Sequence, residues 1–97
     1  MSEETYEIIL AYPRKLSAGG LSALHFRRMG TADYRRAIMQ TKGEQDPLWR
    51  AAEINRILAC SLCVEGLTPA DYDALDGADG HAVDTLVQSL WSPTSAV

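Results

Sequence analysis

The segment from Tyr6 to Tyr34 constrains the fold most, because its pattern predicts two strands, a glycine turn between them and the start of a helix. Four side chains of the first strand share one face: Tyr6, Ile8, Leu10 and Tyr12. Residues 17–20 supply the turn, since glycine accepts positive φ, and Leu24 and Phe26 share the inner face of the second strand. A lone two-stranded ribbon is marginal in water. We therefore expect this β-hairpin, over about residues 5–29, to pack on helices or to pair with another chain.

The rest of the chain carries helix signals. Apolar spacing predicts helices at about residues 32–42, 47–64, 69–75 and 77–91, with a tail over 92–97. Their predicted N-caps are Thr31, Asp46, Thr68 and Asp76. Gly66 is predicted to end the second helix, whose ILACSLCV half is apolar nearly all round, as in a central core helix. The expected fold is α+β, one domain over 1–97, with an N-terminal β-hairpin packed on a small bundle of three to four α-helices.

Charge divides the chain into two unlike parts. Residues 1–42 hold seven Lys and Arg against four Asp and Glu, whereas residues 43–97 hold two against nine. The formal net charge of −4 therefore hides a basic first part and a strongly acidic second part. Such a division suits head-to-tail self-association or docking on a polar partner, and it is equally compatible with two solvated faces.

Nothing in the sequence predicts a membrane or secreted protein. No apolar run approaches the ~20 residues that span a bilayer. The opening residues MSEETYE lack the basic start of a signal peptide, so we expect a cytoplasmic protein that does not act at a membrane. In a reducing compartment the two cysteines would stay thiols.

The candidate reactive residues have simpler explanations. Cys60 and Cys63 form a C-x-x-C near the end of a predicted helix, where the dipole disfavours a thiolate, so two buried structural cysteines are expected over a redox or metal site. His25 and His81 lie in different elements, so a solvent-facing strand residue and a helix residue are expected over a metal site. Helix capping and first-turn electrostatics explain Asp71, Asp76 and Asp79 in the acidic stretch. With no catalytic motif present, we expect no enzymatic activity, no cofactor and no metal.

A nucleic-acid-binding role is the alternative. A basic ribbon could be built from Arg14, Lys15, Arg27, Arg28, Arg35 and Arg36. Binding of this kind usually requires a domain pI well above neutral, and the sequence pI here is near 5.0. A small nucleic-acid-binding regulator that uses a basic hairpin is therefore the second hypothesis.

Two motifs together resemble a known family. The first comprises Ala11-Tyr12-Pro13, a glycine turn, Leu24-His25-Phe26-Arg27-Arg28 and Gly30-Thr31-Ala32-Asp33-Tyr34. The second is the run from Leu67 to Asp79, LTPADYDALDGAD. Their order and spacing resemble the small tail assembly chaperones of Mu-like and P2-like contractile-tailed phages and prophages, over about residues 6–92.

The resemblance implies a non-enzymatic assembly factor of the host bacterial cytoplasm. Such chaperones bind the long helical tape-measure protein before tail-tube subunits polymerise around it. On this reading the chain is expected to form a homo-oligomer through the hairpin edge. The residues expected to provide core or interface packing are Leu10, Tyr12, Leu24 and Phe26, and those expected to form a polar contact surface are Arg27, Arg28 and Asp33.

Overall fold

The computed structural model describes residues 5–13, 15–16 and 19–91. Four strands and four helices follow one another within these residues: β1 Thr5–Ile9, β2 Lys15–Leu16, β3 Gly19–Gly20, β4 Ala23–Arg27, α1 Thr31–Gln40, α2 Pro47–Leu62, α3 Pro69–Ala74 and α4 Gly77–Trp91. The predicted α+β architecture, a hairpin on a small helical bundle, is confirmed. The predicted tail over 92–97, Arg14 of the basic ribbon and part of the predicted turn lie outside the described residues.

The hairpin is built from two antiparallel ribbons. β1 pairs with β4 in a register that runs from Thr5 opposite Arg27 to Ile9 opposite Ala23. The connection between them carries its own short ribbon, β2 with β3, in which Leu16 lies opposite Gly19. Gly19 has a φ of +115°, which a residue with a Cβ rarely adopts, so glycine is needed at this tip.

Helix α2 is the centre of the core, as its apolar sequence predicts. It contacts α1, α3, α4 and β4. Its Leu58 and Leu62 are fully buried, together with Leu24 and Phe26 of β4 and with Val83 and Val87 of α4. The inner face of the hairpin thus closes one side of the helical bundle, which supplies the apolar support that a two-stranded ribbon lacks alone.

Three of the four predicted helix starts are confirmed. The Asp46 carboxylate accepts from the backbone N–H of Leu48 at 2.9 Å, with Pro47 as the first residue of α2. Thr68 and Asp71 form a reciprocal capping box at the start of α3. The Asp76 carboxylate accepts from a backbone N–H at the start of α4.

The start of α1 is not as predicted. Its N-cap is Gly30 and not Thr31, which is the first helical residue. The Asp33 carboxylate reaches back to accept from the Gly30 N–H at 2.9 Å, and no side chain at the N-cap accepts from the first turn.

The end of α2 also differs from the prediction. The helix ends at Leu62 and not near residue 64, because Cys63 is extended and Val64 donates its backbone N–H to the His25 carbonyl at 2.7 Å. Pairing with β4 therefore stops the helix. Gly66, with a φ of +86°, lies in the turn that follows and is not the helix cap.

Within the described residues, no helix is long and apolar enough to cross a membrane.

Candidate functional site

The residues proposed from sequence as a contact site are divided by the fold. Leu24 and Phe26 are fully buried and Leu10 nearly so, which makes them core residues that a partner cannot reach. Tyr12 is 58% exposed, so it does not join that core. The structure therefore assigns the packing role to three of these four residues and leaves Tyr12 at the surface.

Arg27 and Asp33 meet in an ion pair inside the chain. Two nitrogens of the Arg27 guanidinium donate to the two Asp33 carboxylate oxygens, each at 2.9 Å. Asp33 is only 8% exposed. The hydrogen bonds from Arg27 lower the pKa of Asp33 to about 2, although burial opposes the shift. This pair joins the end of β4 to the start of α1, so both groups have a structural role whatever else they contact.

Arg28 and Tyr12 lie at opposite ends of the hairpin. Arg28 is exposed and lines a depression of about 260 Å³ with Tyr6, Met29 and Leu90. Tyr12 lies beyond the other end of β1, where its backbone N–H donates to the Asp79 carboxylate at 2.9 Å. The proposed contact residues therefore do not form one continuous surface.

Asp79 has a role that first-turn electrostatics did not predict. Its side chain is buried and accepts the backbone N–H groups of Ala11 at 2.8 Å and Tyr12 at 2.9 Å. The carboxylate thus links the end of the hairpin to the start of α4, between residues 68 positions apart in the sequence. No local sequence signal identifies this contact.

His25 was expected to face solvent, and its side chain is 38% exposed, but both of its ring nitrogens also lie close to carboxylates. Nδ1 lies 2.5 Å from Glu65 and Nε2 lies 3.1 Å from Glu7. The hydrogen bond with Glu65 is the largest cause of a raised His25 pKa. Burial opposes ionisation of Glu65, but hydrogen bonds from the His25 backbone and ring outweigh it and lower the pKa of Glu65. The cluster ties both strands to the segment after α2.

One edge of the hairpin sheet is closed and the other is open. The His25 backbone N–H donates to Glu65 at 2.8 Å, and its carbonyl accepts from Val64, so residues 63–65 cover the outer edge of β4. Since Glu7 lies opposite His25 in a pair that shares no ladder hydrogen bonds, its backbone groups point away from β4. Within the described part of the chain, no strand lies along this side of β1. The open edge can accept a further strand.

Two exposed apolar side chains adjoin in the chain at the start of α2. Leu48 is 84% and Trp49 58% exposed. Two adjoining depressions, of about 420 and 530 Å³, share Trp49, Glu53 and Arg56 among their lining residues. We call this surface the Trp49 groove. It lies on the face of α2 opposite the buried stripe.

The groove carries a fixed arrangement of charges. Arg56 donates to both carboxylate oxygens of Asp73, at 2.8 and 3.1 Å, and lies 3.8 Å from Glu53. The Tyr72 hydroxyl donates to Asp84, and burial together with this bond raises the pKa of Tyr72. These side chains form an ordered polar wall beside Trp49. None of the contact residues expected from sequence lies on this surface. The available signal was Trp49, which falls outside the apolar stripe of its helix.

The cysteines occupy the other end of α2. Cys63 is buried, and desolvation raises the pKa of its thiol to about 11. Cys60 is partly buried, and desolvation likewise raises its pKa. Both groups are therefore protonated near neutral pH, which is the state expected of structural cysteines. The described residues contain no group of three or more His, Cys, Asp and Glu side chains that could hold a metal ion.

Comparison with protein-family models, with curated proteins and with solved structures finds no match to this chain.

Proposed function

We propose that this chain is a non-enzymatic tail assembly chaperone of the phage or prophage type, which acts in the bacterial cytoplasm and binds the helical tape-measure protein. The observation that carries the proposal is the exposed Trp49, which lines an open groove. The family is inferred only from the resemblance of the motifs around residues 11–34 and 67–79.

The composition of the Trp49 groove suits a protein partner. Trp, Tyr and Arg are the side chains most enriched where protein interfaces hold their binding energy. Trp49, Tyr72 and Arg56 lie together here, and Tyr72 and Arg56 are held by hydrogen bonds to neighbouring carboxylates. Preordered side chains lose little entropy on binding.

The shape of the groove suits a helix. Its two depressions adjoin along α2 and are bordered by the α1–α2 loop on one side and by α3 and α4 on the other. An amphipathic helix can lay apolar residues spaced i, i+3 or i+4 along such a surface. A tape-measure protein before assembly exposes long stripes of this kind, so the groove offers a way to cover them.

The open edge of β1 supports the oligomeric part of the proposal. Ile9 is 67% exposed on this strand, and the outward backbone groups of Glu7 and Ile9 can pair with a neighbouring chain. A strand added there would extend the two-stranded sheet and strengthen it.

Co-expression with a tape-measure protein tests the proposal. The wild-type chain should raise the soluble fraction of the tape-measure protein, and Trp49→Ser should remove most of that effect. Val64→Ser is the matched control, because Val64 is 61% exposed at the opposite end of α2. A wild-type chain that leaves the tape-measure protein insoluble refutes the function. If Trp49→Ser retains the full effect, the function stands but the groove is not its site.

A further inference from the structure

Helix α1 carries an exposed basic and apolar stripe on its outer side. Arg35, Met39 and Lys42 follow at i, i+4 and i+7, which places them on one side of the helix and the turn that follows it. All three are exposed, and Met39 is 64% accessible. Within the described residues, the Arg35 and Lys42 side chains form no hydrogen bond or ion pair. We call these three residues the α1 stripe.

The Trp49 groove has the opposite charge. Among its described lining residues, one cation, Arg56, is outnumbered by four carboxylates: Glu44, Glu53, Asp73 and Asp84. The apolar centre of the groove is Trp49. A segment that fits it must therefore present an apolar side chain flanked by positive charges, and the α1 stripe has this composition.

We propose that the α1 stripe of one copy docks into the Trp49 groove of a second copy. Met39 would pack on Trp49, a contact in which the polarizable thioether meets an aromatic ring. Arg35 and Lys42 would lie against the acidic border, with Glu44 and Glu53 as their partners. These two carboxylates are the least engaged of the four, since Glu44 only accepts a backbone N–H at 3.1 Å and Glu53 lies 3.8 Å from Arg56.

The contact is heterologous, because the stripe and the groove are different surfaces. Gln40 borders the groove of its own copy, whereas Arg35 and Met39 of the stripe are exposed on α1 and line neither depression. A chain cannot fill its own groove, so each added copy leaves one stripe and one groove free for the next. The product is a head-to-tail series that differs from a symmetric pair formed through the β1 edge.

This self-association gives the free protein a way to cover Trp49 until a partner arrives. Competition between the second copy and the tape-measure helix rests on the proposed function above. The contact between copies does not depend on it.

Sedimentation velocity on the purified chain, over a range of concentrations, tests the contact. Two double variants reverse its charges from either side: Arg35→Glu with Lys42→Glu, and Glu44→Lys with Glu53→Lys. Arg36 is left unchanged because its guanidinium lies 3.6 Å from Asp33. Lys15→Glu, at an exposed lysine of the hairpin tip, is the control, and far-UV circular dichroism checks that every variant folds.

The expected result has three parts. The wild-type chain associates more strongly as its concentration rises, and about 0.5 M salt weakens this association. Each double variant alone associates at least roughly tenfold more weakly, because like charges now face each other. An equimolar mixture of the two variants recovers association, since each reversed surface then meets its complement.

Other outcomes overturn the inference. A wild-type chain that stays monomeric would overturn it. Double variants that associate as strongly as wild type would also overturn it, because that result is expected of pairing through the β1 edge. Two weakened variants whose mixture stays weak would indicate a general effect of net charge and not this contact. None of these results bears on solubilisation of a tape-measure protein, so the proposed function is judged separately.

Discussion

Replacing Asp33 provides the sharpest test of how the hairpin is joined to the helices. The carboxylate receives two hydrogen bonds from Arg27, one from the Gly30 backbone N–H, and lies 3.6 Å from Arg36. Asp33→Asn preserves the size and one acceptor for Gly30, but it removes the charge and half of the pairing with Arg27. Asp33→Ala removes all of these contacts. The two variants therefore separate the ion pair from the helix cap.

The expected cost follows from the altered ionisation of Asp33. A fall in pKa from 3.8 to about 2 sets an upper limit of about 2.4 kcal/mol on the stabilisation that the charge provides. Arg27 is 41% exposed, so solvent screening reduces this to about 1–2 kcal/mol for Asp33→Asn. Loss of the cap adds about 1 kcal/mol in Asp33→Ala. Asp46→Asn, at the exposed cap of α2, is the control and should cost less than about 1 kcal/mol.

Urea unfolding followed by circular dichroism measures these values, and pH checks their origin. The folded-state pKa of Asp33 lies below the unfolded one, so its contribution is complete above about pH 4 and is lost as the pH falls through about 2. The difference between wild type and Asp33→Asn should therefore shrink from pH 6 to pH 2. A difference below about 0.5 kcal/mol at pH 6, or one that does not change with pH, would refute this reasoning. A double-mutant cycle with Arg27→Ala isolates the pair.

Three further predictions concern other parts of the chain. The pKa of His25 is raised in the folded protein, so its stabilising contribution is complete below pH 6.5 and is lost as the pH rises through the folded value. The melting temperature of wild type should therefore fall relative to that of His25→Asn between about pH 6 and 9. A melting-temperature advantage of wild type that grows with pH would contradict this. Leu58→Ala should cost about 2–5 kcal/mol in urea unfolding because Leu58 is fully buried, whereas Leu48→Ala, at a side chain 84% exposed, should cost under about 0.5 kcal/mol; equal costs would contradict the assigned core. The Cys63 thiol, with a pKa of about 11, should react slowly with a thiol reagent at pH 7.5 and quickly in urea. Rapid labelling of Cys63 in the folded chain would count against its burial.

The amino-acid sequence predicted the elements well because their signals are local. The strands of the hairpin follow from β-branched and aromatic residues on either side of a glycine turn, and the structure confirms them. Helices α2, α3 and α4 begin where Asp46, Thr68 and Asp76 predict, since a cap acts on backbone groups two or three residues away. The burial of Leu24 and Phe26 likewise follows from their alternation along one strand.

The errors in prediction arise where a distant group overrides a local signal. Thr31 has the chemistry of a cap, but the N-cap is Gly30, whose backbone N–H donates to the Asp33 carboxylate. Asp33 in turn accepts hydrogen bonds from Arg27. Gly66 has the chemistry of a helix end, but α2 stops earlier because Val64 pairs with β4. In both cases a group of β4 takes part: the Arg27 guanidinium binds Asp33, and the His25 carbonyl accepts from Val64.

By itself, then, the sequence determined which segments form strands and helices and which faces are apolar, because those properties depend on residues a few positions apart. Only the tertiary structure decided that Asp79 holds the hairpin, that His25 lies between two carboxylates and that Trp49 stays exposed. These depend on contacts between residues up to 68 positions apart, and such contacts leave no periodic pattern in the chain. The candidate groove belongs to this second group, since a surface is defined by what the rest of the fold fails to cover.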